Sequence, residues 1–145
     1  MQTATRQQLA KRVRFSAAHL YYRQDWSPEK NEVVFGACAH KPGHGHNYWI
    51  DVILSGDVDP QTGMVINFDA LEPLLAQEIT CILDHKHLNQ DVAFFKNHIP
   101  TLENITQFIW QQLETVLQAQ QVQLAALRVW ESDDLYAERL AVEND

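Results

Sequence analysis

Cys38-Ala39-His40-Lys41-Pro42-Gly43-His44-Gly45-His46-Asn47-Tyr48 runs directly into Trp49-Ile50-Asp51-Val52-Ile53-Leu54-Ser55-Gly56-Asp57. Side chains alternate faces along a strand, so from His44 onward this stretch predicts a strand with His44, His46, Tyr48, Ile50, Val52 and Leu54 on one side. Two imidazoles at one end of an apolar face make a metal clip that continues into a core face, and Gly45 leaves room between them. Catalytic zinc takes three protein ligands and keeps a fourth position for water or substrate, so a further histidine has to come from elsewhere in the fold. His19, ending Phe15-Ser16-Ala17-Ala18-His19, is the best candidate. Alone, His-x-His is a weak pattern, also compatible with incidental histidines on a surface loop.

Upstream, Gln8 to Ala18 carries Leu9, Val13 and Phe15 on one face and predicts a first strand. Leu20 to Gly43 holds Tyr21, Tyr22, Trp26 and Phe35 without a sustained period. Within it Ser27-Pro28-Glu29 reads as an N-cap, a proline at the first helical position and an acidic first turn, so the segment is a long loop with one short helix. Loops beyond about 12 to 15 residues are usually functional, which points this one at a site. Downstream, Asp57 to Gly63 has turn composition, and Met64-Val65-Ile66 extends the sheet briefly. The period then changes to that of a helix through Phe68, Leu71, Leu74, Leu75, Ile79, Ile82 and Leu83, with Pro73 tolerated near its start and Cys81 packed within it. That helix ends at Asp84-His85-Lys86-His87-Leu88-Asn89. Thr101 caps a second helix with Ile105, Phe108, Ile109, Leu113, Val116 and Leu117 on one face. Leu124 to Trp130 and Leu135 to Val142 read as strands about the turn Ser132-Asp133-Asp134.

Two strands, two helices and two strands predict an α+β fold, a four-stranded antiparallel sheet with the helix pair packed on one face. Such a sheet leaves two edges open, so copies of the chain are expected to associate. The 145 residues, 46% of them hydrophobic, suit one domain spanning 1–145. Nineteen acidic against eleven basic residues give a formal charge of −8, which argues against a nucleic-acid or anionic-membrane surface and leaves any anion pocket to be assembled locally. No apolar run approaches the roughly 20 residues of a membrane span, and Met1-Gln2-Thr3-Ala4-Thr5-Arg6 does not lead into a signal-peptide core; a cytoplasmic protein is expected. The two cysteines, Cys38 and Cys81, are then read as thiols.

Phe15-Ser16-Ala17-Ala18-His19, Cys38 followed after five residues by His44-Gly45-His46-Asn47-Tyr48, Gly63-Met64-Val65, Leu83-Asp84-His85 with Leu88-Asn89, Pro100-Thr101-Leu102-Glu103-Asn104, and Glu131 form an ordered set. In these pieces the chain resembles the 6-pyruvoyl-tetrahydropterin synthase and 6-carboxytetrahydropterin synthase family. The resemblance implies a tunnelling fold, in which sheets of several subunits join into a barrel with helices outside and active sites between subunits, as a hexamer of two stacked trimers.

By position, it implies that His19, His44 and His46 hold Zn2+, that Cys38 is the general base, and that Asp84 and His85 form a dyad serving as the second proton carrier. It implies that Glu131 anchors the pterin, with Thr101 and Glu103 shaping its pocket. A thiol of ordinary pKa is a poor base at neutral pH, so nearby zinc or a cationic histidine is expected to lower that of Cys38. Other roles stay open: Asp84-His85 as a helix C-terminal cap, Glu131 as an ordinary acidic residue at a strand end, Thr101 and Glu103 as cap and first turn.

The implied activity is a lyase reaction on 7,8-dihydroneopterin triphosphate, giving 6-pyruvoyltetrahydropterin and triphosphate. The runner-up is the 6-carboxy product with acetaldehyde, on the route to queuosine and other deazapurines; the five-residue spacing of Cys38 and His44 matches the pyruvoyl branch, where the other commonly has three. A non-catalytic pterin-binding module would need neither the thiol nor the dyad. A cupin shares His-x-His, but the two amphipathic helices between strands fit it badly. Leu20 stands where the family commonly has arginine and Ser132 where threonine is usual, which removes the phosphate contact expected at Leu20 and leaves Arg12, Arg14, Arg23, Lys30 and Lys41 as candidate substitutes among which the sequence does not choose. His40, His87 and His98 match no motif position.

Overall fold

The computed structural model describes residues 5–143; Met1, Gln2, Thr3 and Ala4 of the leading stretch lie outside the described residues. The ladder that organises the chain pairs β1 (Arg6–His19) with β2 (His44–Asp57), antiparallel, from Arg6 opposite Asp57 through Phe15 opposite Tyr48 to His19 opposite His44. On the other side of β2 lies β4 (Gln123–Ser132), and β5 (Leu135–Leu140) pairs with β4, both antiparallel.

The sheet has five strands in the order β3-β1-β2-β4-β5 and is mixed, where four antiparallel strands were expected. The addition is β3 (Lys86–His87), parallel to β1 with Ala17 opposite Lys86 and Ala18 opposite His87. His85, at φ 59, turns the chain back, and its N–H donates to the Ser16 carbonyl at 2.7 Å. Two residues carry no alternation, so nothing in their spacing announced a strand. In the single chain the sheet stays open and is not closed into a barrel.

Three helices carry most of the helical structure. The first, α1 (Pro28–Phe35), begins as expected, with Ser27 accepting from the Lys30 N–H and Pro28 in the first turn. In α2 (Phe68–Leu75) Asn67 is the N-cap, and a π turn at Ala76–Thr80 leads to a last helical turn at Cys81–Leu83. In α3 (Leu102–Gln118) the Thr101 side chain accepts from the Asn104 N–H. Met64-Val65-Ile66 does not extend the sheet. Cys81 is exposed, contrary to the packed thiol expected. Ile79 and Leu83, one turn apart, take the core face, and a residue midway between them points the other way.

Alternation along β2 is as predicted: Tyr48, Ile50, Val52 and Leu54 are fully buried. Against them pack Leu71, Leu75, Ile79 and Leu83 from the α2 segment and Ile105, Ile109, Leu113 and Leu117 from α3. Fully burying each such side chain contributes about 1.5–3 kcal/mol, so this face fixes the register of β2 and, through it, the direction of His44 and His46. The reverse face is polar: Arg12 donates twice to Asp51 (2.7 and 3.1 Å), and Trp130 Nε1 donates to the same carboxylate. Among the described residues, no helix is long and apolar enough to cross a membrane.

The long segment after β1 is held by one buried amide. Asn31 accepts from the Arg23 N–H at 2.8 Å and donates to the Arg23 and Ser27 carbonyls at 2.9 and 3.1 Å. Trp26 stacks on Phe35, and the chain then enters a 3-10 turn, Gly36–Ala39, that carries Cys38.

Candidate active site and metal centre

His19 ends β1 and His44 opens β2 directly across from it, while His46 sits across from Ala17, so the three rings converge at one end of the core face. Gly43 makes this junction possible. At φ +112 it takes a conformation L side chains rarely adopt, and a Cβ there would lie 2.2 Å from the His19 carbonyl oxygen. Gly43→Ala should therefore push the two strand ends apart; we expect a lower melting temperature together with weaker metal uptake, checked by thermal denaturation and metal titration of the same sample.

The ring nitrogens of His19, His44 and His46 all lie within 4.8 Å of one another, and Nε2 of His19 is 3.2 Å from Nε2 of His44. His19 is almost fully buried, and its Nδ1–H donates to the Pro100 carbonyl at 3.1 Å with the Tyr48 hydroxyl 3.0 Å away. Holding the proton on Nδ1 leaves the Nε2 lone pair for a metal. Burial pushes the His19 pKa down to about 4, although the Pro100 hydrogen bond raises it; nearby His46, His44 and His87 add to the lowering. His19 is thus a neutral imidazole at neutral pH, the form that ligates. Burial also lowers His46, with the Glu131 charge opposing and His44 assisting.

His46 Nε2 is shielded from solvent and makes no hydrogen bond, although Glu131 Oε1 is only 2.7 Å away. The oxygen is close but off the line a hydrogen bond requires. Glu131 is the unpaired residue of a β-bulge: Trp130 pairs with Tyr136 and Ser132 with Leu135. Alternation from Leu127 and Val129, both buried on the core side, places the carboxylate on the histidine face. A buried nitrogen without a partner, beside two further imidazoles and a carboxylate, fits a borderline divalent ion.

Cys38 is half-buried, and the Tyr21 N–H donates to its carbonyl at 2.9 Å. The Tyr21 ring is 4.8 Å from that of His19. Without an ion, burial pushes the Cys38 thiol up, and the Glu131 charge pushes further. Burial likewise raises the Tyr21 hydroxyl, with Glu131, Cys38 and Glu103 contributing in that order, so these groups share one neighbourhood. Thr101 caps α3, Glu103 is exposed in its first turn, and the Pro100 carbonyl just before them holds His19.

Asp84 and His85 lie elsewhere. Asp84 accepts from the Ser16 N–H at 2.9 Å, and its other oxygen is 3.6 Å from Nε2 of His85, whose side chain is 85% exposed. His85 borders a hollow of about 380 Å³ whose lining includes Ser16, Ala18, Gly45 and Asn47 together with Ala17 and His46. Within one chain, then, neither Asp84 nor His85 has a hydrogen bond or ion pair with Cys38, Glu131 or the three histidines among the described residues.

Nothing in the spacing of residues marked the Tyr48 hydroxyl, Tyr21 or the Pro100 carbonyl as supports of His19. Asn89 was part of a motif without a role; it accepts from the Leu20 N–H (2.9 Å) and donates to the Leu20 carbonyl (2.8 Å), clamping the residue after His19. Of the candidate phosphate-binding cations, Arg12 and Arg23 are occupied by bidentate pairs with Asp51 and Asp25. Lys30 and Lys41 lie over Trp26 and Tyr22. Arg14 lies over Trp49.

The family model described as 6-pyruvoyl tetrahydropterin synthase matches residues 8–141. Over 127 residues the chain is 39% identical to the 6-pyruvoyl tetrahydrobiopterin synthase of Homo sapiens, covering 88% of this chain and 86% of that one. It is 28% identical over 112 residues to the 6-carboxy-5,6,7,8-tetrahydropterin synthase of Bacillus subtilis (strain 168), covering 76% of this chain and 67% of that one. Among solved structures, Caenorhabditis elegans 6-pyruvoyl tetrahydropterin synthase superposes with a TM-score of 0.88 at 29% identity, covering 98% of this chain and 100% of that one. The match takes in nearly the whole sheet and all of the site, and on that breadth the chain belongs to the 6-pyruvoyl tetrahydropterin synthase family.

Proposed function

We propose that this chain is a zinc-dependent lyase that converts 7,8-dihydroneopterin triphosphate to 6-pyruvoyltetrahydropterin with release of triphosphate, as a single-domain cytoplasmic enzyme. The observation that carries the reading is the convergence of His19, His44 and His46 with an unpartnered buried nitrogen, in a chain 39% identical to a relative of that name. His19, His44 and His46 would hold the ion. When bound, zinc supplies a Lewis acid for an oxygen of the substrate side chain and an electrostatic pull on the nearby thiol.

The remaining work falls to the chain itself. Cys38 exchanges a proton with the substrate carbon, and Asp84, fixed by the Ser16 N–H, orients His85 as the second carrier. Glu131 accepts from the N–H edge of the pterin, and Thr101 and Glu103 shape the pocket rim. Because Asp84 and His85 make no polar contact with Cys38 or Glu131 within one chain among the described residues, the dyad of a second copy beside Cys38 would complete the site, which favours a closed homohexamer of two stacked trimers. Arg14, Lys30 and Lys41, free of carboxylate partners within 4 Å among the described residues, are the cations left for the triphosphate.

Incubation of the zinc-loaded protein with dihydroneopterin triphosphate, followed by mass analysis, is the direct test. We expect triphosphate and a product that keeps all three side-chain carbons. A 6-carboxy product with acetaldehyde would move the chain to the branch of its Bacillus relative, and no triphosphate release would refute a lyase.

A further inference from the structure

The Glu131 carboxylate sits in an odd place for a group that only waits for a ligand. Its side chain is 15% exposed, and among the described residues its close polar neighbours are ring nitrogens: His46 Nε2 at 2.7 Å and His19 Nε2 at 3.8 Å. A carboxylate there has lost most of its water, and among the described residues no lysine or arginine stands within 4 Å of it. The short contact to His46 is not a hydrogen bond, since Nε2 remains without one.

These distances have a simple reading. Ligand atoms at 2.0–2.1 Å from a tetrahedral ion stand about 3.3 Å from one another. Nε2 of His19 and His44 are 3.2 Å apart, and the Glu131 contacts to His46 and His19 bracket the same figure from either side, while His44 stands more than 4 Å from the carboxylate. Alternation along β4 from the buried Val129 aims Glu131 at this point, where the β4–β5 ladder leaves it unpaired.

From this we infer that Glu131 is the fourth metal ligand of the resting enzyme, closing a site of three histidines and one carboxylate that an incoming substrate oxygen must open. The inference rests on the metal reading above and gives Glu131 two exclusive positions, on the ion at rest and on the pterin edge when substrate is bound. The resting site then differs from the open three-histidine site expected from sequence, because its fourth position is covered by a movable protein group rather than by water.

The test uses Co2+-substituted protein and needs no turnover. In the wild type, the visible d–d spectrum should resist added azide, whereas in Glu131→Gln azide should bind at a concentration at least about ten-fold lower. Cobalt affinity in a chelator competition should also fall by about 10–100-fold, the scale that losing even an outer partner of a ligand produces. Glu131→Asp, one methylene short, separates ligation from folding: far-ultraviolet circular dichroism like that of wild type with an azide response like that of Glu131→Gln is the expected result. Equal azide sensitivity and equal cobalt affinity in wild type and Glu131→Gln would overturn the fourth ligand while leaving the three histidines intact. Failure of the wild type to take up cobalt would overturn the metal reading and this inference with it.

Discussion

Cys38→Ala is expected to fold, to bind metal as the wild type does, and to lose about 10²–10⁴-fold in turnover, the usual worth of a positioned acid–base group. The thiol lies on a 3-10 turn fixed by backbone contacts, among them the Tyr21 N–H on the Cys38 carbonyl, so removing the sulfur leaves the turn its anchors. Without an ion, burial and Glu131 hold the thiol in its protonated form. Activity should therefore rise with pH along a limb that belongs to the thiol and is absent from Cys38→Ser. Cys81→Ala supplies the control: its side chain is exposed, so stability should change by no more than about 0.5 kcal/mol and turnover not at all. Wild-type rates in Cys38→Ala, measured as triphosphate release, would remove the thiol from the reaction.

His46→Ala should abolish stoichiometric zinc binding while leaving the fold intact. His46 is the right histidine to remove: its side chain is 27% exposed and makes no hydrogen bond. His19 is buried and holds both the Pro100 carbonyl and the Tyr48 hydroxyl, so truncating it would orphan buried polar groups and confuse lost metal with lost stability. We expect about one equivalent of zinc in the purified wild type and a small fraction of that in His46→Ala, with matching circular dichroism and no detectable turnover. Equal zinc in the two proteins would place the ion elsewhere.

Where one face of an element was buried, the sequence could be read. His44, His46 and the apolar positions behind them alternate over the length of β2, and the core holds that alternation in place, so both the strand and the direction of its histidines followed from spacing. Thr101 and Ser27 announced their helices because a cap is a local device. What stayed hidden depends on contacts across the chain. β3 exists because His85 reverses the backbone against Ser16, and the bulge at Glu131 only has meaning once β4 has β5 beside it. Cys81 was misplaced because a helical face was read too widely, and the anchoring of Asp84 on the Ser16 N–H, with no polar contact to Cys38, became visible only once the edge of the sheet was built.

The β1–β2 ladder ends at the pair His19 and His44, with a 24-residue excursion between the two strands. Side-chain direction in a strand has a period of two, so a slip of one residue would keep nearly as many backbone bonds yet turn both His44 and His46 to the reverse face. Such a misaligned chain, compact and rich in sheet, would have no ligand cluster to offer. Metal capture is thus available only to molecules whose longest pairing has closed correctly to its final rung. By mass action the ion draws the folding population toward that one alignment, acting as a proofreader of strand register before any substrate arrives.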